Sequence, residues 1–397
     1  MSKNREVYIA TAVRTAVTKA PNGLFKNTRP DDLLAHVLKG VVEKNPKLGV
    51  NAIDDVIIGC AMPEAEQGMN VARIGVLLAG LPDTIPGVTV NRFCSSGVQT
   101  ISMAADRIAT GNAEVIIAGG VESMSMVKFK PDRMRGNPRY FEKELLGINY
   151  GMGITAEKVA EQWSITREQQ DEFAYESHQK ALKAIASGEL AQGILDYNVI
   201  EHFPDLLKGK IIERIKMVSI DEGPRADSTL ERLAKLKTVF MQGGTVTAGN
   251  SSQTSDGASA LLMVSEEALK KYDLTPLAKF SGFAVAGVSP EIMGIGPKFA
   301  IPKVLEQAGL SLDDLDWIEL NEAFAAQALA VIKDLKLDRS KINPLGGAIA
   351  LGHPLGATGA IKATMMIHGM RARKQKYGMV TMCIGTGMGA AGLFEMV

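Results

Sequence analysis

IDDVII, at residues 53–58, resembles a second stretch of the same chain, LDWIEL, at residues 315–320. The two stretches lie 262 residues apart (315 − 53). Each is a short, mainly apolar run with acidic residues near its start, which is typical of a buried strand. If the two belong to a duplicated unit, other stretches should recur at a similar separation.

Two further pairs of stretches do recur. CSSG at residues 94–97 falls on GATG at residues 356–359 with the same offset of 262 (356 − 94), and each opens a segment with a helical pattern. The strand-like triplets at 116–118 and 380–382 lie at the similar offset of 264 (380 − 116). These separations predict two similar halves, each about 120 residues long on the usual size of domains.

Strand-like and helical patterns alternate along the chain. Apolar runs at 54–62 and 113–120 indicate buried strands, and the segment at 33–44, after a Pro30-Asp31-Asp32 start, indicates a helix. Such alternation predicts an α/β fold with a largely parallel sheet.

The residues between the two repeats interrupt the first half. The interruption opens with a basic, turn-rich segment at 124–141 and continues into a long helical pattern, whose start is predicted by a capping box of Thr166 and Gln169. The first half would resume with a last strand at 258–264. The sequence thus predicts three units: an N-terminal half of residues 1–122 plus 249–272, an inserted loop domain of residues 123–248, and a C-terminal half of residues 273–397.

Composition narrows the classes of function. Lys and Arg together number 44 and so do Asp and Glu, so the net charge is zero and gives no support for a nucleic-acid or membrane-surface partner. The odd number of three cysteines in 397 residues argues against a disulfide framework. Since no signal peptide or membrane-spanning stretch is apparent, we expect a cytoplasmic protein.

Cys94 is the first candidate for chemistry, because it lies between a strand-like run at 87–90 and the start of a helix. The backbone N–H groups and dipole of a helix N-terminus stabilise a thiolate, and the small residues after Cys94 leave room for a ligand. The alternative is a small buried hydrophobic residue, which is the common role of a single cysteine.

His353 lies in a glycine-dense loop at residues 343–359, where glycines let the backbone approach a ligand and present N–H groups to it. The alternative is a histidine hydrogen-bonded for structural reasons only. The other histidines lie in helical or polar segments and are read as structural or surface residues; they are His36, His178, His202 and His368.

Two further groups follow strand-like runs. Cys383 begins the glycine-rich CIGTGMG at 383–389, where it is either a second reactive thiol or a core residue. Asn321 and Glu322 follow an apolar run, at the strand end where α/β folds hold their sites, although either could simply cap the next helix. The sequence contains no metal-ligand motif, so no metal site is predicted.

Together these motifs resemble the thiolase family along essentially the whole chain. The motifs that carry the resemblance are NRFCSSG (91–97), GGVESM (119–124), GTVTAGNSS (244–252), NEAFA (321–325), GGAIALGHP (346–354) and CIGTGMG (383–389). The resemblance implies a fold of two five-stranded α/β halves in α-β-α-β-α layers, with a loop domain inserted in the first. It also implies a homodimer or homotetramer.

The resemblance assigns catalytic roles to matching positions. Cys94 would be the nucleophile, His353 would take its proton, and Cys383 would exchange a proton with the α-carbon of the acetyl-CoA unit. Asn321 would hold a water that forms an oxyanion hole with His353, and the N–H groups of Cys94 and Gly385 would form the other.

Contacts with coenzyme A and the acyl chain are likewise implied by position. Ser252 would contact the pantetheine arm and Arg225 the nucleotide end, although a surface arginine is the simpler alternative. The residues that would line the acyl and pantetheine tunnel are Met152, Ala323 and Phe324, for which core packing is the default.

The activity implied is thiolytic cleavage of a 3-oxoacyl-CoA by coenzyme A, a co-substrate, with no other cofactor. Gly151 stands where short-chain members carry a histidine, so we expect longer acyl chains to be accepted. The alternatives are a biosynthetic acetyl-CoA acetyltransferase, a ketoacyl synthase, which Cys383 argues against, and a non-catalytic acyl-CoA carrier.

Overall fold

The computed structural model describes residues 5–127 and 136–397, so residues 128–135 of the basic segment lie outside the described chain. The strands are β1 (Val7–Arg14), β2 (Thr18–Lys19), β3 (Asp55–Gly59), β4 (Gly87–Val90), β5 (Val115–Ser123), β6 (Tyr197–Asp205), β7 (Lys210–Val218), β8 (Ser255–Ser265), β9 (Ala278–Gly287), β10 (Trp317–Leu320), β11 (Tyr377–Ile384) and β12 (Met388–Met396). The helices are α1 (Pro30–Glu43), α2 (Val71–Leu78), α3 (Ser96–Ala109), α4 (Met152–Trp163), α5 (Arg167–Ala186), α6 (Leu230–Ala234), α7 (Glu266–Lys271), α8 (Gly296–Ala308), α9 (Ala325–Leu335), α10 (Ala348–Leu351) and α11 (Leu355–Arg373).

The duplication predicted from the sequence is present in the fold. β3 begins at Asp55 and β10 at Trp317, an offset of 262 residues (317 − 55), and β5 begins at Val115 and β11 at Tyr377, again 262 (377 − 115). The match of Ile116 with Val380 is therefore wrong by two residues. Helices α3 and α11 occupy equivalent places between these strands.

Ten of the described strands form one continuous sheet, in the order β10-β11-β12-β9-β1-β8-β5-β3-β4 with β2 paired to β8, and β6 and β7 form a separate two-stranded sheet. The two halves meet at its middle, where β1 and β9 pair only through Tyr8 with Lys279 and Ile9 with Ala278. The expectation of a largely parallel sheet is wrong, because among the described strands only the pairs β3–β4, β3–β5 and β10–β11 are parallel. β12 turns back directly from β11 through a three-residue turn, a connection that only antiparallel strands allow.

The halves differ in their outermost strand. The first half has the five strands β4-β3-β5-β8-β1, whereas in the described part of the second half the place of β4 is taken by a single bridge between Ile318 and Ile342. The bridge does not extend into a strand, because Asn343 takes a left-handed φ of 43° and Pro344 has no N–H to donate to a neighbouring strand. The five strands that the family resemblance implied are therefore complete only in the first half.

Successive side chains along the central strands pack alternately against two different layers of helices. On β5, Ile116 and Ala118 join a cluster with residues of α3 and α11, while Val115 and Ile117 join a cluster with residues of α1. On the other side, residues of α8 and α9 cluster against β10–β12. The layers therefore run α-β-α-β-α, with α3 and α11 in the middle.

The segment between β5 and β8 carries α4, α5, the β6–β7 hairpin and α6. The predicted capping box is confirmed, since Thr166 Oγ1 accepts from the N–H of Gln169 and Gln169 Oε1 accepts from that of Thr166. The exact bounds of the three units stay a proposal. Within the described ranges, none of the helices is both long and apolar enough to cross a membrane.

Candidate active site

Cys94 lies in a tight 3₁₀ turn, Phe93–Ser95, that leads into α3. The turn is closed by Ser96, whose Oγ accepts from the N–H of Arg92 at 2.9 Å and donates to the carbonyl of Phe93 at 2.6 Å. Phe93 takes a left-handed φ of 44°, an uncommon conformation for a bulky residue. The half-buried Cys94 is thus presented at the start of α3, in a turn that also contacts α11 and β11.

The surroundings of Cys94 favour a neutral thiol. Burial raises the pKa of Cys94 to about 11, and the charge of Glu122 contributes in the same direction. The backbone N–H groups of Gly385 and of Cys94 itself act against this by hydrogen bonding to the sulfur. These are the two N–H groups that the family resemblance would place in an oxyanion hole.

His353 is buried and held at both ring nitrogens. Nδ1 lies 2.6 Å from Thr358 Oγ1, and Nε2 lies 3.3 Å from Asn321 Nδ2. Burial, followed by the charge of Lys362, lowers the pKa of His353 to about 3. The imidazole is therefore neutral at physiological pH and can act as a base rather than as a cation.

Asn321 and Glu322 lie at the end of β10, and neither caps α9, whose N-cap is Phe324; the capping alternative is wrong. Asn321 Nδ2 faces His353, while its buried Oδ1 has no hydrogen-bond partner among the described residues. An unpaired buried acceptor fits a site that receives a water or a ligand atom.

Glu322 has a structural role that the sequence did not indicate. Its carboxylate accepts from Ser177 Oγ at 2.7 Å, Asn343 Nδ2 at 2.8 Å and the N–H of Ile349 at 3.2 Å. Burial raises the pKa of Glu322, which these donors oppose. Glu322 therefore joins α5 of the insertion to the loop that leads to His353.

Cys383 is buried near the end of β11, and its pKa is raised by burial and by the charge of Cys94. It belongs to a small apolar cluster that includes Ala323 and Phe324. Gly385 follows in the turn to β12, and a Cβ added to it would lie 3.7 Å from Met152 Sδ. The structure thus places Ala323 and Phe324 in a cluster with Cys383, and Met152 next to Gly385.

A groove of about 750 Å³ leads away from this centre. Its walls include Ser252 and Arg225, together with the cationic side chain of Lys19 and the ion pair of Arg232 with Asp227. Ser252 donates its N–H to the carbonyl of Ala323 at 2.9 Å, so the groove floor adjoins the reactive centre. An extended ligand with anionic groups at its far end fits such a groove.

His178 lines the same groove, a position that no sequence motif indicates. It is buried in α5, which agrees with the structural alternative rather than the surface one, and its Nδ1 accepts from the N–H of Arg225 at 3.2 Å. Burial and the charges of Arg225 and Lys19 lower the pKa of His178 to about 4. A neutral His178 therefore holds the segment that carries Arg225.

No role was predicted for Glu122, because its motif contributed only to the family resemblance. Its carboxylate accepts from the N–H groups of Ala61 at 2.8 Å, of Met62 at 3.3 Å and of Gly356 at 2.8 Å, and from Gln67 Nε2. Gly356 lies in the first turn of α11, where the helix N–H groups lack partners. Glu122 therefore caps a helix of the second half from a strand of the first.

Comparisons with known proteins agree with this architecture. The family models "Thiolase, N-terminal domain" and "Thiolase, C-terminal domain" match residues 7–267 and 274–396. A 3-ketoacyl-CoA thiolase of Bacillus subtilis (strain 168) is 49% identical over 99% of this chain and 100% of its own length. A beta-ketoadipyl-CoA thiolase of Pseudomonas knackmussii is 46% identical, again over 99% of this chain and 100% of its own.

A solved structure gives the same result for the fold. The crystal structure of the Bacillus anthracis acetyl-CoA acetyltransferase matches with a TM-score of 0.90 and 42% identity, and the match covers 100% of both chains. The fold and the site define an acyltransferase built on a duplicated α/β unit. The chain belongs to the thiolase family.

Proposed function

We propose that this protein cleaves 3-oxoacyl-CoA by thiolysis, giving acetyl-CoA and an acyl-CoA shortened by two carbons, as fatty-acid β-oxidation requires. The observation that carries the proposal is that the turn of Cys94 contacts both β11, which carries Cys383, and α11, which follows His353. Beside His353 Nε2, the buried Oδ1 of Asn321 has no hydrogen-bond partner among the described residues. One thiol can carry an acyl group while the other handles a proton.

In the first half-reaction Cys94 attacks the 3-oxo carbon and gives its proton to Nε2 of His353. The N–H groups of Cys94 and Gly385 then stabilise the alkoxide, and such a donor is typically worth about 3 kcal/mol of barrier. The alkoxide collapses by breaking the bond between the α-carbon and the 3-oxo carbon. The departing enolate of acetyl-CoA takes the proton of Cys383, while His353 and a water on Asn321 stabilise its oxygen.

In the second half-reaction coenzyme A attacks the acyl-Cys94 thioester and gives its thiol proton to the Cys383 thiolate. Cys94 leaves the tetrahedral intermediate and recovers its own proton from His353. All protons are then back in place, and the acyl group has moved to coenzyme A. A covalent intermediate between two half-reactions predicts ping-pong kinetics.

The site supports an apolar acyl chain. Apolar residues pack around Cys383, and they are Ala156, Val246, Met293, Ala323 and Phe324. Gly151 directly precedes Met152, and a Cβ added to it would meet no atom within 4 Å, so the space of the missing side chain is open. An apolar and open surrounding favours a hydrocarbon chain over the terminal carboxylate of a ketoadipyl group.

A biosynthetic acetyl-CoA acetyltransferase is the second candidate, since the solved relative carries that name. The chemistry is reversible, so the same site can condense two acetyl-CoA molecules. The two functions differ in the acyl chain that they use. Catalysis in the cytoplasm by a homodimer or homotetramer is part of the same proposal.

Thiolysis rates across 3-oxoacyl-CoA substrates of four to sixteen carbons test the proposal. We expect kcat/KM for 3-oxo-octanoyl-CoA and longer substrates to equal or exceed that for acetoacetyl-CoA. A strong preference for acetoacetyl-CoA would favour the acetyltransferase. Full thiolysis by Cys94→Ala would overturn both candidates, and acyl-CoA binding without turnover in the wild type would favour a carrier.

A further inference from the structure

The hydroxyl of Thr358 lies between the ring of His353 and a backbone carbonyl. Thr358 Oγ1 is 2.6 Å from His353 Nδ1 and donates to the carbonyl of Pro354 at 3.0 Å. Thr358 is in the first turn of α11, and both it and His353 are buried. Solvent therefore does not compete for either contact.

A hydroxyl group has one hydrogen to donate. The acceptor that takes the hydrogen of Thr358 decides which ring nitrogen of His353 is protonated. Threonine in a helix commonly donates to the carbonyl four residues earlier, which here is Pro354. With its hydrogen used there, Oγ1 offers a lone pair to Nδ1, so Nδ1 must carry the ring proton. Nε2 is then an acceptor, which agrees with the donor Nδ2 of Asn321 at 3.3 Å.

We propose that Thr358 is a positioning residue, which holds His353 in the tautomer protonated at Nδ1 and so keeps the Nε2 lone pair ready to take the proton of Cys94. The proposal rests on the proposed function, because it concerns the base of that reaction. In the opposite tautomer Nε2 would carry a hydrogen and could not accept a proton from the thiol.

The duplication shows what is special about Thr358. The residue 262 positions earlier is Ser96, whose hydroxyl also bonds in the first turn of its helix, to the carbonyl of Phe93 at 2.6 Å. Within the described part of the chain, the hydroxyl of Ser96 bonds only backbone groups, whereas that of Thr358 also contacts a side chain. Equivalent hydroxyls thus shape the turn of Cys94 in one half and orient His353 in the other.

The direct test is the tautomer itself, measured by ¹⁵N NMR on protein labelled at histidine. The chain has five histidines, and His353→Asn identifies the signals of that residue. In wild type we expect the Nδ1 of His353 to be protonated and Nε2 to be bare, since the two kinds of nitrogen in a neutral imidazole have well-separated shifts. A wild-type His353 protonated at Nε2 would overturn the proposal, whether or not any variant folds.

Three variants add a kinetic readout. Thr358→Val keeps the shape but removes the hydroxyl, Thr358→Ser keeps the hydroxyl, and Thr364→Val removes a buried hydroxyl of the same helix that bonds Ser259. For Thr358→Val we expect kcat to fall roughly 100-fold, in the range of general-base effects, and His353 to show mixed tautomers. KM should change little, and Thr358→Ser and Thr364→Val should stay within a few fold of wild type.

The outcomes separate this proposal from the proposed function. Equal losses in Thr358→Val and Thr358→Ser, or an unchanged tautomer in Thr358→Val, would overturn the positioning role. A wild-type protein with the expected tautomer but without thiolysis would overturn the proposed function, and with it the claim that the tautomer serves this reaction.

Discussion

Gly97 and Gly359 lie against each other where the first turns of α3 and α11 meet, and they are 262 residues apart (359 − 97). A Cβ on Gly97 would come within 2.7 Å of the N atom of Ala360, and one on Gly359 within 2.4 Å of that of Val98. Both distances are to backbone atoms, which have no rotamer through which to move away. The glycine pair therefore sets the close approach of the two helix starts that carry Cys94 and the His353 loop.

Gly359→Ala should force these helices apart. We expect a loss of about 1–3 kcal/mol in the free energy of unfolding, as for an overpacked core, and a fall in kcat of at least tenfold. Urea unfolding and thiolysis kinetics measure the two effects. Gly49→Ala is the control, because a Cβ at Gly49 meets nothing within 4 Å; similar behaviour of both variants would contradict the account.

Gly151→His should narrow the range of acyl chains. The side chain has room to be built, since a Cβ at Gly151 has no neighbour within 4 Å, and it would occupy space next to Met152. We expect kcat/KM for long 3-oxoacyl-CoA substrates to fall about tenfold relative to acetoacetyl-CoA, a difference typical of steric exclusion from a pocket. Gly151→Ala is the matched control, and an unchanged chain-length profile in Gly151→His would rule out this position as a determinant.

The reactivity of free Cys94 should follow its thiol pKa. Because burial raises that pKa to about 11 and His353 stays neutral, the resting pair is a thiol and an imidazole rather than an ion pair. Alkylation by iodoacetamide should then accelerate about tenfold per pH unit between pH 6 and pH 9. Cys94→Ser corrects for slow labelling of Cys60 and Cys383. A rate that is flat over this range would indicate a preformed thiolate–imidazolium pair.

Acid should destabilise the fold partly through His178. Its folded pKa is about 4 and the unfolded value is about 6.5, so protons bind the unfolded state preferentially between these values. The stability that His178 contributes is complete above pH 6.5 and is lost as the pH falls toward 4. At pH 5 the loss is about 2 kcal/mol.

His178→Gln isolates this contribution, because glutamine does not titrate and its oxygen can still accept from the N–H of Arg225. Urea unfolding at pH 7.5 and pH 5 should show a smaller drop in the variant than in wild type, by about 2 kcal/mol. Buried Glu122 and Glu322, whose raised pKa values act in the opposite direction, are common to both proteins. Equal drops would mean that His178 does not carry the proton linkage.

Local and repeated features of this fold could be predicted from the sequence. The capping box at Thr166 and the strand at 87–90 depend on neighbouring residues. The 262-residue repeat by itself aligns β3 with β10. The direction of β8 could not be predicted in this way. It returns to the sheet after the insertion and pairs antiparallel with β5 and β1, which only the tertiary structure decides.

The same limit applies to the candidate site. Cys94, His353, Asn321 and Cys383 stood out as chemical groups at strand ends or in glycine-rich turns. Thr358 did not stand out, although it is only five residues from His353. Its contact with His353 depends on the unusual φ of 99° at Gly352, which lies between α10 and His353. His178 meets the segment of Arg225 across 47 residues of chain, and no sequence pattern marks that contact.

The central claim is that Cys94 carries the acyl group while Cys383 handles only the proton. Intact-protein and peptide mass spectrometry after incubation with octanoyl-CoA, without free coenzyme A, tests it directly, since acylation from an acyl-CoA needs no proton at the α-carbon. We predict an octanoyl adduct on Cys94 in wild type. The same adduct should form more slowly in Cys383→Ala, because the departing coenzyme A loses its proton donor, and Cys383→Ala should not cleave 3-oxoacyl-CoA. An adduct on Cys383 or Cys60 in place of Cys94 would contradict the account.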